Sequence, residues 1–242
     1  MLSRFRRIDR RLAVTGLVLA ASLALLSVGL FTIATTLGDG VDLPDEGSLQ
    51  DILDEGNVDA DDLAATATAG PSGPPPPAPV ALDIPRLYVK APVIAKGLGP
   101  DRQPQVPDAP DQVAWYTFTA SPGRSSNAVF SGHVDWLTST GTGIPGVFYR
   151  LRELQIGDTI TVTLEDGDEL QYRVTGNVAT VYDDPNVLKV MSATSKDVIT
   201  LITCGGTWQK DYRAQYGGNY SHRIVVRAER ITGAAGSVAG GG

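Results

Sequence analysis

The residues that could do chemistry are few, and the first is Cys204, the only cysteine in the 242-residue chain. It follows an apolar, β-branched run at 198–202 and precedes two glycines, a pattern that predicts a strand ending in a turn. We therefore expect the thiol at a strand end, where a rigid sheet would present it to a loop, as suits a nucleophile. Burial without reactivity is the alternative, because free cysteine is among the most buried residue types.

Two histidines, His133 and His222, are the only histidine partners available to this thiol. A cysteine nucleophile needs a neighbour that accepts and returns its proton, and histidine is the usual one. His133 follows the β-like run 127–132, so it is predicted at a strand end, as Cys204 is. The pairing of the two residues, more than either one alone, favours nucleophilic catalysis.

Acyl transfer also needs hydrogen-bond donors for the developing oxyanion, and arginine supplies a fixed fork of N–H groups. Arg223 is predicted at the start of the last strand, nineteen residues after Cys204. The competing arginines are Arg213, Arg227 and Arg230, and a strand-surface position is the alternative for each. Arg227 would share a strand face with Arg223 but would lie farther from the loop.

Charge divides the chain into three parts. Residues 1–37 carry five arginines and one aspartate, and residues 38–80 carry ten acidic and no basic residues. Residues 81–242 carry fifteen basic and sixteen acidic residues, so this part is nearly neutral. It lacks the basic surface of a nucleic-acid-binding domain, and no nucleic-acid partner is expected.

An uncharged run of 26 residues, 12–37, follows the basic segment 1–11. At about 1.5 Å per helical residue it can cross a hydrocarbon core of about 30 Å, so it predicts a transmembrane helix. Its length, and the lack of a clear cleavage site, favour a retained signal-anchor over a cleaved signal peptide. The preceding arginines predict a cytoplasmic segment 1–11 and an extracellular remainder. The predicted location is the cell membrane, with a single pass.

The segment 38–80 is acidic and then rich in Ala, Thr, Gly and Pro. Its apolar content is too low for independent folding, so it is predicted to be a disordered extracellular linker. A weak amphipathic helix near 49–63 is the one ordered alternative. The glycine-rich tail 233–242 is also predicted to be disordered.

Short β-like runs separated by Gly, Pro and Asp fill residues 81–232. The clearest is 154–174, two alternating strands around Asp166-Gly167, a favoured hairpin turn. Two further strands are predicted on either side of Pro85 and Arg86, while 111–118 is predicted to be a short helix or turn. Six to eight strands with few helices predict a mainly β fold, either a closed barrel or a sandwich.

The chain resembles the sortases, the membrane-anchored cysteine transpeptidases of mainly Gram-positive bacteria. The resemblance rests on segments that occur in family order: LDIPRLYVKAPV, SGHVD around His133, LQIGDTITV, LITCGG around Cys204, and HRIVVRAE around Arg223. The glycines after Cys204 and the GHVD sequence resemble class F sortases, although class F often has Asp-Asn where this chain has His222-Arg223.

The resemblance implies an eight-stranded sortase-type β-barrel with short helices, and a cysteine transpeptidase, a thiol-protease-like enzyme. Cys204 would attack the Thr–Gly bond of an LPXTG-like sorting signal and form a thioacyl enzyme. His133 would act as general acid/base, and Arg223 would stabilise the oxyanion or a substrate carbonyl. Thr203 and Asp135 would be substrate-binding residues, with Asp135 also a candidate to orient His133. The connection 178–195 would form a wall of the peptide groove.

The partners implied by the resemblance are the sorting signal of a secreted surface protein and an amine acceptor. The acceptor would be a cell-wall precursor, for protein anchoring, or a pilin lysine, for polymerisation. Anchoring is favoured because the sequence has no second transmembrane run and no pilin-like domain. No cofactor is expected, and no metal, because two histidines and one cysteine lack close ligand spacing.

Three other families or functional classes are alternatives. L,D-transpeptidases place Ser-His-Gly-Cys-x-Arg around the nucleophile, whereas Leu201, Ile202 and Thr203 precede Cys204 here. NlpC/P60 peptidases have the cysteine before the histidine, the reverse of the order in this chain. The alternative from another functional class is a non-catalytic, membrane-tethered β-domain that binds a peptide or a wall polymer and buries Cys204.

Overall fold

The structure is a computed structural model, and it describes residues 40–41, 48–54, 76–210 and 217–232. The predicted segments 1–11, 12–37 and 233–242 lie outside the described residues. None of the helices within the described ranges has both the length and the apolar character needed to cross a bilayer. The membrane anchor and the cell-membrane location stay predictions.

Eleven strands and one α-helix lie within the described ranges, together with three short 3-10 helices. The first elements are β1 (Gly40–Val41), α1 (Leu49–Asp54), β2 (Pro79–Ile84), β3 (Val89–Lys96), β4 (Val113–Tyr116) and β5 (Asn127–Gly132). A small hairpin follows, formed by β6 (Asp135–Leu137) and β7 (Gly143–Pro145). The last strands are β8 (Thr159–Leu164), β9 (Glu169–Val181), β10 (Val198–Lys210) and β11 (Gly218–Arg230). The 3-10 helices are Pro85–Leu87, Leu151–Glu153 and Val187–Met191.

Eight strands in the described part of the chain close into a barrel. Their order is β10, β11, β9, β8, β2, β3, β4 and β5, and β10 pairs again with β5 to complete the ring. The β3–β4 and β5–β10 pairs are parallel and the other pairs are antiparallel. The expected eight-stranded barrel is confirmed, and closure protects its strands from pairing with other chains.

Local sequence signals account for several of these elements. The β8–β9 hairpin turns at Gly167, whose φ of +92° lies in the left-handed region that favours glycine. The predicted break between the first two barrel strands is the 3-10 helix Pro85–Leu87. The prediction of a helix or turn at 111–118 is wrong, because Val113–Tyr116 forms β4. All four β4 residues are buried, so the strand lacks the alternation that would mark it in the sequence.

Alternate residues of the barrel strands contribute to two apolar clusters. The larger one fills the barrel and includes Phe130, Leu201 and Ile224. The smaller one, here called the outer cluster, consists of Ile52, Leu53, Ala114, Tyr116, Val129, Val178, Val190, Ile202 and Val225. Because side chains alternate along a strand, Cys204 lies on the same face of β10 as Ile202. The thiol therefore shares the outer cluster's face of the barrel.

The helix α1 lies within the predicted disordered linker, at the start of the range 49–63 where the sequence allows a weak amphipathic helix as the alternative. Ser48 caps it, because the Gln50 amide donates to Ser48 Oγ and the Ser48 amide donates to an Asp51 carboxylate oxygen, each at 3.1 Å. Ile52 is 1% exposed, and α1 packs on β9 and the 3-10 helix Val187–Met191. This part of the linker is ordered because the barrel supplies the apolar surface that the segment lacks.

Candidate active site

Cys204 lies in the middle of β10, not at the strand end that its sequence predicts. The two glycines after it form a bulge rather than a turn, and the register with β11 shifts between Gly205 and Trp208. Gly206 has φ +75°, a conformation that glycine adopts without strain. The strand resumes beyond the bulge, so the thiol is fixed by pairing on both sides of it.

Arg223 is the direct partner of Cys204 across the β10–β11 pair. The sequence predicts Arg223 at the start of the last strand, but the residue lies in the interior of β11. Directly opposed residues of an antiparallel pair project from the same face, with Cβ atoms about 5 Å apart. The register therefore places the guanidinium beside the thiol.

The competing arginines lie elsewhere or outside the described residues. Arg227 is completely buried, and its Nη2 lies 3.4 Å from the Val190 carbonyl oxygen, to which it donates. Arg230 donates to the Gln171 carbonyl, and Arg213 lies outside the described ranges. Among the described arginines of β11, only Arg223 pairs with the cysteine.

The Arg223 guanidinium is held by its own strand. Nη1 donates to the His222 carbonyl at 2.9 Å and to the Tyr220 carbonyl at 3.3 Å, and Nη2 donates to Asn219 Oδ1 at 2.9 Å. Its central carbon lies 5.8 Å from the ring centre of Tyr182, in the predicted wall segment 178–195. These contacts restrict the rotamers of a long side chain and so reduce the entropy lost when it binds a substrate oxygen.

His133 follows immediately after β5, as predicted. Strand β5 runs parallel to β10, and Ser131 pairs with Ile202. Cys204 and His133 each lie two residues beyond that pair, on neighbouring strands about 4.8 Å apart. The barrel therefore brings the predicted base next to the predicted nucleophile.

The orientation of the His133 ring is set by a backbone carbonyl that the sequence did not reveal. His133 Nε2 lies 2.8 Å from the Pro107 carbonyl oxygen, and Trp136 packs edge-on against the ring. Because a carbonyl can only accept, Nε2 carries the hydrogen. The other nitrogen, Nδ1, is left for proton exchange, and the predicted orienting role falls to Pro107 instead of Asp135.

Thr203 and Asp135, the predicted substrate-binding residues, occupy different positions. Thr203 is 4% exposed on the barrel-core side of β10, and its hydroxyl donates to the Gly132 carbonyl at 2.8 Å. This bond joins the cysteine strand to the histidine strand, which favours a positioning role. Asp135 is exposed, and its Oδ2 accepts a hydrogen bond of 2.6 Å from the Tyr220 hydroxyl. Contact between either residue and a substrate stays a prediction.

The environment of the thiol favours its neutral form. Burial raises the pKa of Cys204, the positive charge of Arg223 lowers it in part, and the negative charge of Asp135 raises it. The pKa of Tyr220 is also raised, first by burial and then by its hydrogen bond to Asp135. We expect Cys204 to be a thiol at neutral pH until a substrate or a proton acceptor changes its surroundings.

No group of three or more His, Cys, Asp or Glu side chains suited to a metal ion occurs in the described part of the chain. Arg223 lies beside Cys204, and its positive charge would oppose the binding of a metal cation there. The residues of this site therefore fit a cysteine nucleophile better than a metal centre.

Comparison with known proteins finds similar solved structures and a matching family model. Similar solved structures include sortase C1 of Streptococcus agalactiae, at 25% identity and TM-score 0.44, covering 64% of this chain and 68% of that one. Another is a lid mutant of Corynebacterium diphtheriae sortase A, at 21% identity and TM-score 0.47, covering 74% and 83%. A Clostridium perfringens sortase D5 transpeptidase has 20% identity and TM-score 0.43, covering 76% and 95%.

The comparison with curated proteins finds no match. The class F resemblance stays a prediction, because the matching family model is described only as the sortase domain. A family model described as the sortase domain matches residues 82–231, more than half of the chain, and this range contains Cys204, His133 and Arg223. The chain belongs to the sortase family.

Proposed function

We propose that this sortase cleaves an LPXTG-like sorting signal between Thr and Gly and transfers the acyl group to an amine. Family membership supports the coarser statement, a cysteine transpeptidase. The observation that carries the proposed acyl-transfer chemistry is the cross-strand pairing of Cys204 with Arg223, with His133 directly after the adjoining strand β5. The nucleophile and the oxyanion donor then lie on two neighbouring strands of the barrel, and the base directly follows a third.

In the first step, the Cys204 sulfur attacks the threonine carbonyl carbon. The C–S bond forms, the Thr–Gly C–N bond breaks, and the thiol proton passes through His133 to the leaving glycine amine. Because Pro107 holds the Nε2–H, Nδ1 of His133 is the nitrogen that carries this proton. The raised pKa of Cys204 implies that proton removal and attack are coupled.

Arg223 stabilises the oxyanion that develops on the threonine carbonyl. Its guanidinium is already held by the carbonyls of Tyr220 and His222, so little reorganisation is needed when charge develops. The same positive charge also favours the thiolate form of Cys204, which is the attacking species.

In the second step, an amine attacks the thioester carbonyl. The new C–N bond forms, the C–S bond breaks, and an amine proton returns to the sulfur through His133. The products are an amide and the free Cys204 thiol, so atoms and charges balance for an uncharged amine. His133 thus acts as acid in the first step and as base in the second.

Substrate binding involves the connection 178–195, in this proposal. Its Tyr182 lies over the Arg223 guanidinium, so this wall of the predicted groove adjoins the oxyanion donor. The predicted anchor 12–37 would hold the enzyme outside the cell membrane, where secreted surface proteins and wall precursors meet it. We favour a cell-wall precursor as the acceptor, with a pilin lysine as the alternative.

The test uses the full chain, a fluorescent LPXTG peptide and hydroxylamine, which intercepts a thioester as a hydroxamate. We expect cleavage between Thr and Gly with a hydroxamate product, and neither product with Cys204→Ala. Arg223→Gln is expected to reduce kcat/KM by on the order of 100-fold, the usual loss when one oxyanion donor is removed. Arg173, an exposed arginine on β9, provides the matched control Arg173→Gln.

The result that would overturn the proposal is an intact peptide together with a Cys204 thiol that resists alkylation in the folded protein. That result would favour the non-catalytic β-domain, in which the same burial that raises the pKa of Cys204 would keep the thiol inert. Cleavage at the same bond by Cys204→Ala would exclude the cysteine mechanism.

A further inference from the structure

We propose that the Asp135 carboxylate, held by the Tyr220 hydroxyl, binds the ammonium group of the acceptor amine beside His133. This inference rests on the proposed function and assigns part of the same site to the second substrate. It makes Asp135 a specificity-determining residue for acceptors that arrive as cations, and Tyr220 a positioning residue that acts through Asp135.

The geometry around Asp135 fixes an exposed carboxylate at the site. Asp135 begins β6 two residues after His133, and its Oδ2 accepts the 2.6 Å hydrogen bond from Tyr220. The Tyr220 ring packs edge-on against Trp208, with ring centres 5.2 Å apart. Tyr220 also gives its backbone carbonyl to Arg223, so one residue contacts both the carboxylate and the oxyanion donor.

Neither orientation of His133 nor an ion pair accounts for this carboxylate within the described residues. The Pro107 carbonyl orients the His133 ring, and none of the ion pairs found among the described residues includes Asp135. The hydrogen bonds of the Arg223 guanidinium go to Asn219, Tyr220 and His222. An exposed carboxylate at the reacting centre is thus left with a hydroxyl partner and no cationic one within the described ranges.

The charge of Asp135 suits the second step of the reaction better than the first. A carboxylate near Cys204 raises the pKa of the thiol and so opposes its ionisation. In the second step the sulfur is a neutral thioester and the acceptor is mainly an ammonium ion at neutral pH, since α-amino groups have a pKa of about 8 and lysines of about 10.4. A fixed carboxylate then attracts the acceptor and orients it by a charge-assisted hydrogen bond.

The bound ammonium must lose two protons to become an amide nitrogen. One proton goes to solvent before attack, and the second passes through His133 to the sulfur as the C–N bond forms and the C–S bond breaks. The ammonium ion and thioester thus become the amide, the Cys204 thiol and one released proton. No oxidant or further reactant is required.

The test is a competition between two acceptors for one acyl-enzyme of the full chain. At pH 7, glycylglycine amide is mainly an ammonium ion and hydroxylamine is mainly uncharged, and both compete for the acyl group of the LPXTG peptide. The ratio of peptide product to hydroxamate does not depend on how fast the acyl-enzyme forms. Any effect of a substitution on the rate at which Cys204 is acylated therefore cancels from this ratio.

We expect Asp135→Asn to lower the ratio about 5-fold, the effect of losing one partly exposed charge pair. Tyr220→Phe should lower it less, because the carboxylate is kept but its orientation is lost. Asp168→Asn removes an exposed carboxylate from the β8–β9 turn and should leave the ratio at the wild-type value.

An unchanged ratio in Asp135→Asn would overturn the inference, as would a fall in both products at a constant ratio. The latter would mean that Asp135 supports His133 or the fold and does not select the acceptor. Absence of hydroxamate from the wild-type enzyme would instead overturn the proposed function, and this inference with it. The hydroxamate yield of each variant shows that the protein tested is folded and acylated.

Discussion

At the scale of single residues, the site combines a partly buried thiol with charges of opposite sign. Burial and Asp135 raise the pKa of Cys204, and Arg223 lowers it. The carbonyl of Pro107 fixes which nitrogen of His133 carries a hydrogen. The balance of these groups determines how much thiolate is present before substrate binds.

The pH dependence of alkylation measures that balance. Only the thiolate reacts with iodoacetamide, so the rate for wild-type Cys204 should still be rising at pH 8.5, near the pKa of a free cysteine. Arg223→Gln removes the charge that stabilises the thiolate, and its profile should move to higher pH. Arg173→Gln should follow the wild type. A wild-type midpoint below pH 8.5, or a downward shift in Arg223→Gln, would contradict this assignment.

The candidate nucleophile and base could be named from the sequence, but the groups that contact them could not. Cys204 is the only cysteine, and two histidines leave little choice of base. The partner of His133 lies 26 residues away, and Tyr220 lies 85 residues from Asp135. Such contacts depend on the paths of loops and on closure of the barrel, which a local sequence pattern does not predict.

At the scale of elements, the β10–β11 pair determines the site. Its register sets Arg223 opposite Cys204, and the bulge after Gly205 restores pairing farther along the strands. The Gly-Gly pair predicts a turn where the structure has a bulge, because a bulge and a turn both use a glycine in the left-handed region. The sequence does not predict the strand at Val113–Tyr116 for another reason: its full burial removes the alternation of apolar and polar residues.

Gly206→Ala should disturb the site more than the same change in a remote turn. Gly206 has φ +75°, and an added Cβ would meet His222 Nδ1 at 2.6 Å. A resulting shift of the Cys204–Arg223 pair should lower kcat/KM by on the order of tenfold or more. Gly167→Ala carries similar backbone strain at φ +92° with nothing within 4 Å, and should keep wild-type kcat/KM. Equal activities of the two variants would argue against a positioning role for the bulge.

The helix α1 falls within the range 49–63, where the sequence allows a weak amphipathic helix only as an alternative to disorder, because the composition of the linker as a whole obscures two adjacent apolar residues. The local signal was present in Ser48 and Asp51, which cap the helix reciprocally. Gly176 of β9 leaves room for the helix, since an added Cβ there would meet Ile52 Cγ1 at 3.1 Å. Order in this segment therefore comes from tertiary packing, which the composition of the linker does not reveal.

The contribution of this packing can be measured by urea unfolding. Ile52→Ala should lower the free energy of unfolding by about 2 kcal/mol, the low end for a buried isoleucine, because α1 is a short surface helix. Gln50→Ala, on the exposed side of the same helix, should change it by less than about 0.5 kcal/mol. Equal stabilities of the two variants would show that α1 does not dock in solution.

At the scale of the whole molecule, barrel closure brings distant parts of the sequence together. The β5–β10 pairing closes the ring and also places His133 beside Cys204, so the fold and the site depend on the same contact. The barrel itself could be predicted from the many short strands and from the resemblance to sortases. Strand patterning alone does not distinguish a closed barrel from a sandwich, because both have the same local signals.

The central claim is a thioacyl enzyme on Cys204, and intact-mass spectrometry tests it most directly. The full chain is mixed with an LPXTG peptide without added amine and quenched in acid. The account predicts a mass increase equal to the peptide through its threonine, located on Cys204 by peptide mapping and absent from Cys204→Ala. Peptide cleavage without an adduct, or an adduct on another residue, would contradict it.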